Sequence, residues 1–187
     1  IYAGLEAFET LAPGVVGRVR QAYATATAAL RLPFAGGFDA IRRVEDVPLV
    51  ARRATITRED ARRRLALPEG RPVVLATFGG HGGGIPLARA AATDRFLLVA
   101  TEYEAGADAG GHRHLRVVTT SELRANGMSY TDLLGACDVV ATKLGYGIVS
   151  ECIANAVPML YTLRGTFPEQ DVFMRDLPDV LRCRMVP

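Results

Sequence analysis

Val139-Val140-Ala141-Thr142-Lys143-Leu144-Gly145-Tyr146-Gly147-Ile148-Val149-Ser150-Glu151 reads as a short apolar strand, a glycine-broken turn and a helix of about 148–155. That is one strand–loop–helix unit of a parallel sheet. The alternation extends in both directions. Val73–Thr77, Phe96–Thr101, Leu115–Thr119 and Met159–Leu163 are further apolar runs of strand length, and Arg182–Val186 is a candidate for one more. Between them, Pro86–Ala92, Tyr130–Ala136 and Val149–Asn155 can each hold a helix. Buried strands alternating with helices predict an α/β class: a doubly wound parallel sheet covered on both faces.

Ahead of this pattern the chain reads differently. Residues 1–31 predict helix, because Val15, Val19, Tyr23 and Ala26 recur at three-to-four spacing in an Ala-rich stretch. The stretch from Leu32 to about Val47 carries Pro33, Gly36 and Gly37 and no sustained period, so it is a connector. Thr57-x-x-Asp60 predicts a capped short helix, ended by Pro68-Glu69-Gly70.

Composition sets outer bounds. With 187 residues, 49% hydrophobic and 22% charged, the chain can build a sizeable core and is not a disordered tract. Its longest apolar runs fall far short of the ~20 residues that span a bilayer. No signal peptide is visible and the first residue is Ile1, so the expectation is a piece of a longer cytoplasmic protein. Cys137, Cys152 and Cys183 lack C-x-x-C spacing and read as buried free thiols. His112-Arg113-His114 is the only metal-like spacing, and a lone H-x-H is weak evidence for a metal. The arginines at 42–43, 52–53 and 62–64 have no interleaved aromatics for stacking on bases, so nucleic acid is not an expected partner. They read as solvated helix and linker faces. Against 21 arginines stands a single lysine, Lys143, a compact ammonium of the kind that meets a phosphate as a point charge.

Ligands of a doubly wound sheet bind beyond the carboxyl ends of its strands, so the loops there carry the functional signal. Phe78-Gly79-Gly80-His81-Gly82-Gly83-Gly84 follows the first strand. Its amides can form an anion-binding concavity, or the loop is merely flexible. His81 is either a ligand contact or a solvated loop residue. The pattern is neither G-x-G-x-x-G nor a P-loop, and the next strand is read as ending without the acid that nicotinamide cofactors need. The second loop is the stronger signal. Gly145 and Gly147 let backbone approach a ligand, Lys143 adds positive charge, and a helix N-terminus supplies amides suited to a phosphate. Ser150 is read in the first turn of that helix. Glu151 either accepts hydrogen bonds from a ribose diol or complements the helix dipole.

At these residues the sequence resembles the C-terminal, donor-binding domain of GT-B glycosyltransferases. It is similar in particular to the glycosyltransferase-like half at the front of L-arabinokinases and to related bacterial proteins. The resemblance is carried by Asp46–Arg53, Phe78-Gly79-Gly80, Cys137–Val140, the run from Lys143 to Glu151, Pro158 and Phe167-Pro168-Glu169-Gln170. It implies a Rossmann-like domain over 48–187, with 1–47 a helix and connector from the acceptor side. It implies a nucleotide-diphospho-sugar as substrate, a UDP-sugar by preference, and no bound metal or other cofactor. Gly79, Gly80 and the amides near Gly147 and Ile148 would face the diphosphate with Lys143. Glu151 would hold the ribose, Val118 and Thr119 would lie beside the base, and Glu169 and Gln170 would reach the sugar. Ile148 stands where the family usually has Thr, which removes one hydroxyl from the phosphate site. The general base would belong to an N-terminal acceptor domain of the same protein. Two functions remain open: a metal-independent glycosyl transfer, or sugar-nucleotide binding without catalysis.

Overall fold

The computed structural model describes residues 6–79, 86–105, 111–163, 165 and 168–186. The chain divides into two compact units, residues 1–50 with 164–178 and residues 51–163 with 179–187.

In the first unit, helices α1 (Glu6–Leu11) and α2 (Val15–Ala24) replace the single helical stretch expected over 1–31. Pro13 and Gly14 interrupt it, Gly14 taking the left-handed conformation at φ 80° that suits a residue without Cβ. Strand β1 (Ala29–Arg31), at the end of the stretch read as helix, then pairs in parallel with β2 (Val44–Asp46), inside the stretch read as connector. The Arg31 guanidinium forks onto Asp46 across that pair, with Nε–Oδ1 at 2.6 Å and Nη2–Oδ2 at 2.9 Å.

The second unit carries the expected sheet. Ahead of it, Thr57 caps α3 (Arg58–Arg64) by accepting from the Asp60 amide, as its sequence predicts. Along the chain follow β3 (Val73–Thr77), α4 (Leu87–Ala90), β4 (Leu97–Thr101), α5 (Glu102–Ala105), β5 (Leu115–Val118), α6 (Thr120–Ala125), α7 (Tyr130–Ala136), β6 (Val139–Lys143), α8 (Tyr146–Ala154), β7 (Met159–Thr162) and β8 (Cys183–Met185). The helix α9 (Pro168–Asp176) falls in the first unit. The six strands are all parallel, in the order β5-β4-β3-β6-β7-β8. Winding therefore runs outward from β3 through β5, then returns to the other side of β3 at β6. Right-handed crossovers put α4 and α5 on one face and α6, α7 and α8 on the other. Ala76, Leu98 and Ala100 accordingly pack with Leu87 and Ala91 of α4 and Ala105 of α5. Leu75, Val99, Val140 and Met159, in register across four strands, form the opposite buried layer.

Two carboxylates, the buried Asp132 and the half-buried Asp138, tie down the opening segment of this unit. Asp138, in the turn before β6, accepts from the Val73 amide at 2.7 Å and from Arg62 Nη2 at 2.6 Å, and also pairs with Arg58. Arg62 corrects the reading of the basic run as a solvated face. It is 6% exposed, and its remaining donors reach the carbonyls of Ala136 and Pro68. Five guanidinium donors in fixed directions make that burial tolerable. Asp132 closes a capping box with Ser129 at the start of α7 and accepts from the amides of Thr55 and Ile56. Burial opposes its ionisation, but the hydrogen bonds from Ser129 and Thr55 prevail and hold its carboxyl at about 2.

Asp138→Ala, which strands the buried Arg62 charge, should lower unfolding free energy by about 3–5 kcal/mol in a urea titration. Asp132 sits below its unfolded value of ~3.9. Its stabilisation is complete above about pH 4 and disappears as pH falls toward 2, and Asp132→Asn should flatten that limb of the acid-unfolding curve.

Candidate functional site

The strand order reverses between β3 and β6, whose carboxyl ends lie side by side, Thr77 opposite Thr142. This is the switch point of the sheet, where the two loops leave in opposite directions and open a crevice. Gly79 takes φ 82° there. A Cβ built on it would stand 3.6 Å from Lys143 Cε and 3.8 Å from Nζ. The two glycine-rich segments, far apart in sequence, therefore meet through Gly79 and the half-buried Lys143. Gly80 and His81, also expected in this site, lie outside the described residues.

The α8 helix opens against the same point. It starts at Tyr146, two residues before the expected Ile148, with Gly145 as an extended N-cap and no side-chain cap on its first amides. Tyr146, Gly147 and Ile148 thus form the first turn itself. A Cβ at Gly147 would meet nothing within 4 Å, so that turn faces open space. The earlier start moves Ser150 into the second turn. There it is buried and its hydroxyl donates to the Gly147 carbonyl at 2.9 Å, an internal helix contact.

Glu151 is 6% exposed and ionically paired. Arg52 brings Nε to 2.6 Å and Nη2 to 2.5 Å of the same oxygen, Oε1. The guanidinium belongs to the Asp46–Arg53 segment but had no expected role. Asn155, one turn on, holds that segment by accepting from the Ala54 amide at 2.7 Å and donating to the Arg52 carbonyl at 3.1 Å. Burial discourages ionisation of the half-buried Tyr130 phenol, the Thr77 hydrogen bond opposes this, and the nearby Glu151 charge adds to the burial effect.

Tyr130 connects this carboxylate to a cleft of about 530 Å³ over the carboxyl ends of β3, β4 and β5. Its hydroxyl donates to Thr77 Oγ1 at 3.1 Å. The cleft is lined by Gly79, Tyr103, Val118, Leu123, Met128 and Tyr130, and by the carboxylates Glu102 and Glu104. Glu104 accepts from the Phe78 amide at 2.6 Å. Glu102 accepts from the Thr120 amide through both oxygens at 2.9 Å, which outweighs the effect of burial and lowers its pKa. An acidic residue, Glu102, does directly follow β4, and one more residue past Thr101 would have found it. Thr119 caps α6 by accepting from the Glu122 amide at 3.0 Å. Glu169 and Gln170 lie on α9 in the other unit, where Gln170 donates to the Gly165 carbonyl at 2.5 Å.

The sheet order, the reversal at β3 and β6 and the helix-capped crevice can be compared with known proteins. The glycosyltransferase SnogD from Streptomyces nogalater matches in structure with a TM-score of 0.51 and 19% identity, over 83% of this chain and 44% of that one. The fold is that of a GT-B glycosyltransferase-like domain. In sequence, an L-arabinokinase of Arabidopsis thaliana is 28% identical over 169 residues, 90% of this chain. The chain spans 15% of the length of that relative. No protein-family model matches. Among the described residues no group of His, Cys, Asp and Glu could hold a metal ion. No described helix is long and apolar enough to cross a membrane. In this GT-B-like domain Cys137 and Cys152 are buried free thiols, each pushed up to about 12 by burial, and Cys183 is half-buried.

The two glycines of the crevice should respond oppositely to alanine. Gly79→Ala forces a Cβ into the left-handed region and should cost about 1–2 kcal/mol. Gly147→Ala enters open space inside a helix and should stabilise by up to about 1 kcal/mol. Chemical denaturation of both variants tests the pair; a stable Gly79→Ala protein would contradict the backbone geometry assigned here.

Proposed function

We propose that this chain binds a nucleotide-diphospho-sugar across the carboxyl ends of β3 and β6, as the donor half of a glycosyl transfer to an acceptor hydroxyl. The observation that carries the reading is the convergence of Gly79, the lone Lys143 and the uncapped first turn of α8 at the switch point of the sheet. Backbone amides aligned with a helix dipole, plus one compact ammonium, suit a diphosphate.

The same groups would act in the chemistry. As the bond from the anomeric carbon to the diphosphate breaks, negative charge gathers on the departing phosphate. Donors already aimed at that position stabilise it without reorganising. Amides near Gly147 and Ile148 and the Lys143 ammonium fill this role. Glu151 would take the ribose diol. Arg52 holds Oε1, leaving Oε2 as an acceptor for the diol. The base that activates the acceptor hydroxyl is assigned to an N-terminal acceptor domain, and the similarity to a stretch of a much longer relative supports a partner of that kind.

A non-catalytic sugar-nucleotide-binding domain is the second reading. It is favoured by Ile148, which offers no hydroxyl to the phosphate, and by the claim Arg52 already has on Glu151. Turnover separates the two: the full-length protein with an acceptor releases free nucleoside diphosphate from its donor only if it catalyses transfer.

Calorimetric titration with UDP, GDP, dTDP and ADP should show binding with a preference for one of them; no binding of any at millimolar concentration would sink the donor-site assignment. Lys143→Ala should weaken the preferred diphosphate by about 10- to 100-fold, the range of a charge-assisted contact, and leave the nucleoside nearly unchanged. Equal loss for both would remove Lys143 from the phosphate.

A further inference from the structure

The cleft beside the phosphate cradle has a chemistry of its own. Its floor is the end of β3 at Thr77 and Gly79, so a nucleoside whose diphosphate lay against Gly79 and Lys143 would place its base over β4 and β5. Apolar walls from Val118, Leu123 and Met128 and the ring of Tyr103, 65% exposed, offer packing and stacking surface. Among these walls stand three charged side chains, Glu102, Glu104 and Arg124. The two oxygens of Glu102 both accept from the Thr120 amide, and the Thr120 hydroxyl and the Glu102 amide also donate to its carboxylate. A carboxylate's roughly four lone-pair sites leave room for a further donor. Among the described residues no salt bridge is made to this carboxylate.

A half-buried carboxylate in a cleft discriminates sharply among bases. Uracil presents a single N–H flanked by two carbonyl oxygens, which a carboxylate repels. Adenine and cytosine each offer an amino group beside a ring nitrogen acceptor, so one oxygen gains a donor while the other faces a lone pair. Guanine alone presents two adjacent donors, N1–H and the N2 amino group, that match the two oxygens as a fork. We propose that the cleft receives a guanine base read by Glu102, so that the nucleotide bound here is a guanosine diphosphate and not a uridine diphosphate. This rests on the donor-binding reading above and departs from the uridine preference that the family resemblance implies.

Titration of the 187-residue chain with GDP, inosine diphosphate, ADP, CDP and UDP tests it. GDP should bind tightest, by at least about tenfold over UDP and over inosine diphosphate, which lacks only the N2 amino group. Glu102→Gln should bring GDP to the level of inosine diphosphate. Because Glu102 also caps the start of α6, thermal unfolding of that variant is the control. If it fails to fold, the ratio of GDP to inosine diphosphate in the unmodified chain decides alone, and equal affinities overturn the assignment. UDP, ADP or CDP binding as tightly as GDP overturns the guanine assignment and leaves the donor site standing. A folded Glu102→Gln chain that keeps the full GDP preference removes Glu102 as the reader. Absence of binding to every diphosphate overturns the donor site and the base assignment together.

Discussion

The architecture of the larger unit depends on one pairing, β3 against β6. These strands are distant in sequence, and everything between them is wound on one side before the chain returns. Asp138 secures the amino-terminal end of that pair by accepting from the Val73 amide while holding Arg62 and Arg58. The Asp138 amide in turn donates to the Val73 carbonyl at 2.8 Å. With that end clamped, parallel register carries through Leu75 and Val140 to Thr77 and Thr142. The crevice at the carboxyl end is thus positioned by a polar cluster at the opposite end of the same two strands.

What lies at that crevice divides into two chemistries. Over β6 the groups are cationic or amide: Lys143 and the opening turn of α8. Over β4 they are anionic, with Glu102 and Glu104 each tied to a backbone amide. A ligand spanning both must be negative at one end and rich in hydrogen-bond donors at the other. A nucleoside diphosphate has that polarity. Arg52 and Glu151 form a third element, a buried carboxylate paired with a guanidinium that is itself largely exposed.

Much of this was legible in the sequence. Five of the strands were readable to within a residue or so because parallel strands buried on both faces leave uninterrupted apolar runs bounded by glycine or polar residues. The Thr57 cap and the α7 helix were equally plain, since capping side chains act over three or four residues. The misreadings share a cause. Two-residue shifts at helix starts, as at Tyr146, alter which groups face a ligand, and propensity cannot place a helix start that a glycine N-cap sets. Arg62 read as surface because charge alone does not reveal that three acceptors wait in the fold. Arg52 and Glu151 were each visible, but their meeting depends on tertiary structure. Glu102 was missed although the strand end at Thr101 was right, because the acid stands one residue beyond the strand. Of the expected site, Gly79, Lys143 and the turn Tyr146–Ile148 come together, Ser150 faces inward, and Glu169 and Gln170 belong to the other compact unit.

The distance in sequence between the two halves of the cradle has a thermodynamic consequence. Neither Gly79 nor Lys143 can form an anion site alone, and closing the long loop between them carries an entropy cost that must be met before any native contact there is gained. The cradle therefore exists only once that long-range pairing has formed, and it is absent from the unfolded ensemble. A ligand held there recognises the native state only, so it stabilises the domain by an amount that grows with the logarithm of its concentration over its dissociation constant, and lowers the population open to proteolysis.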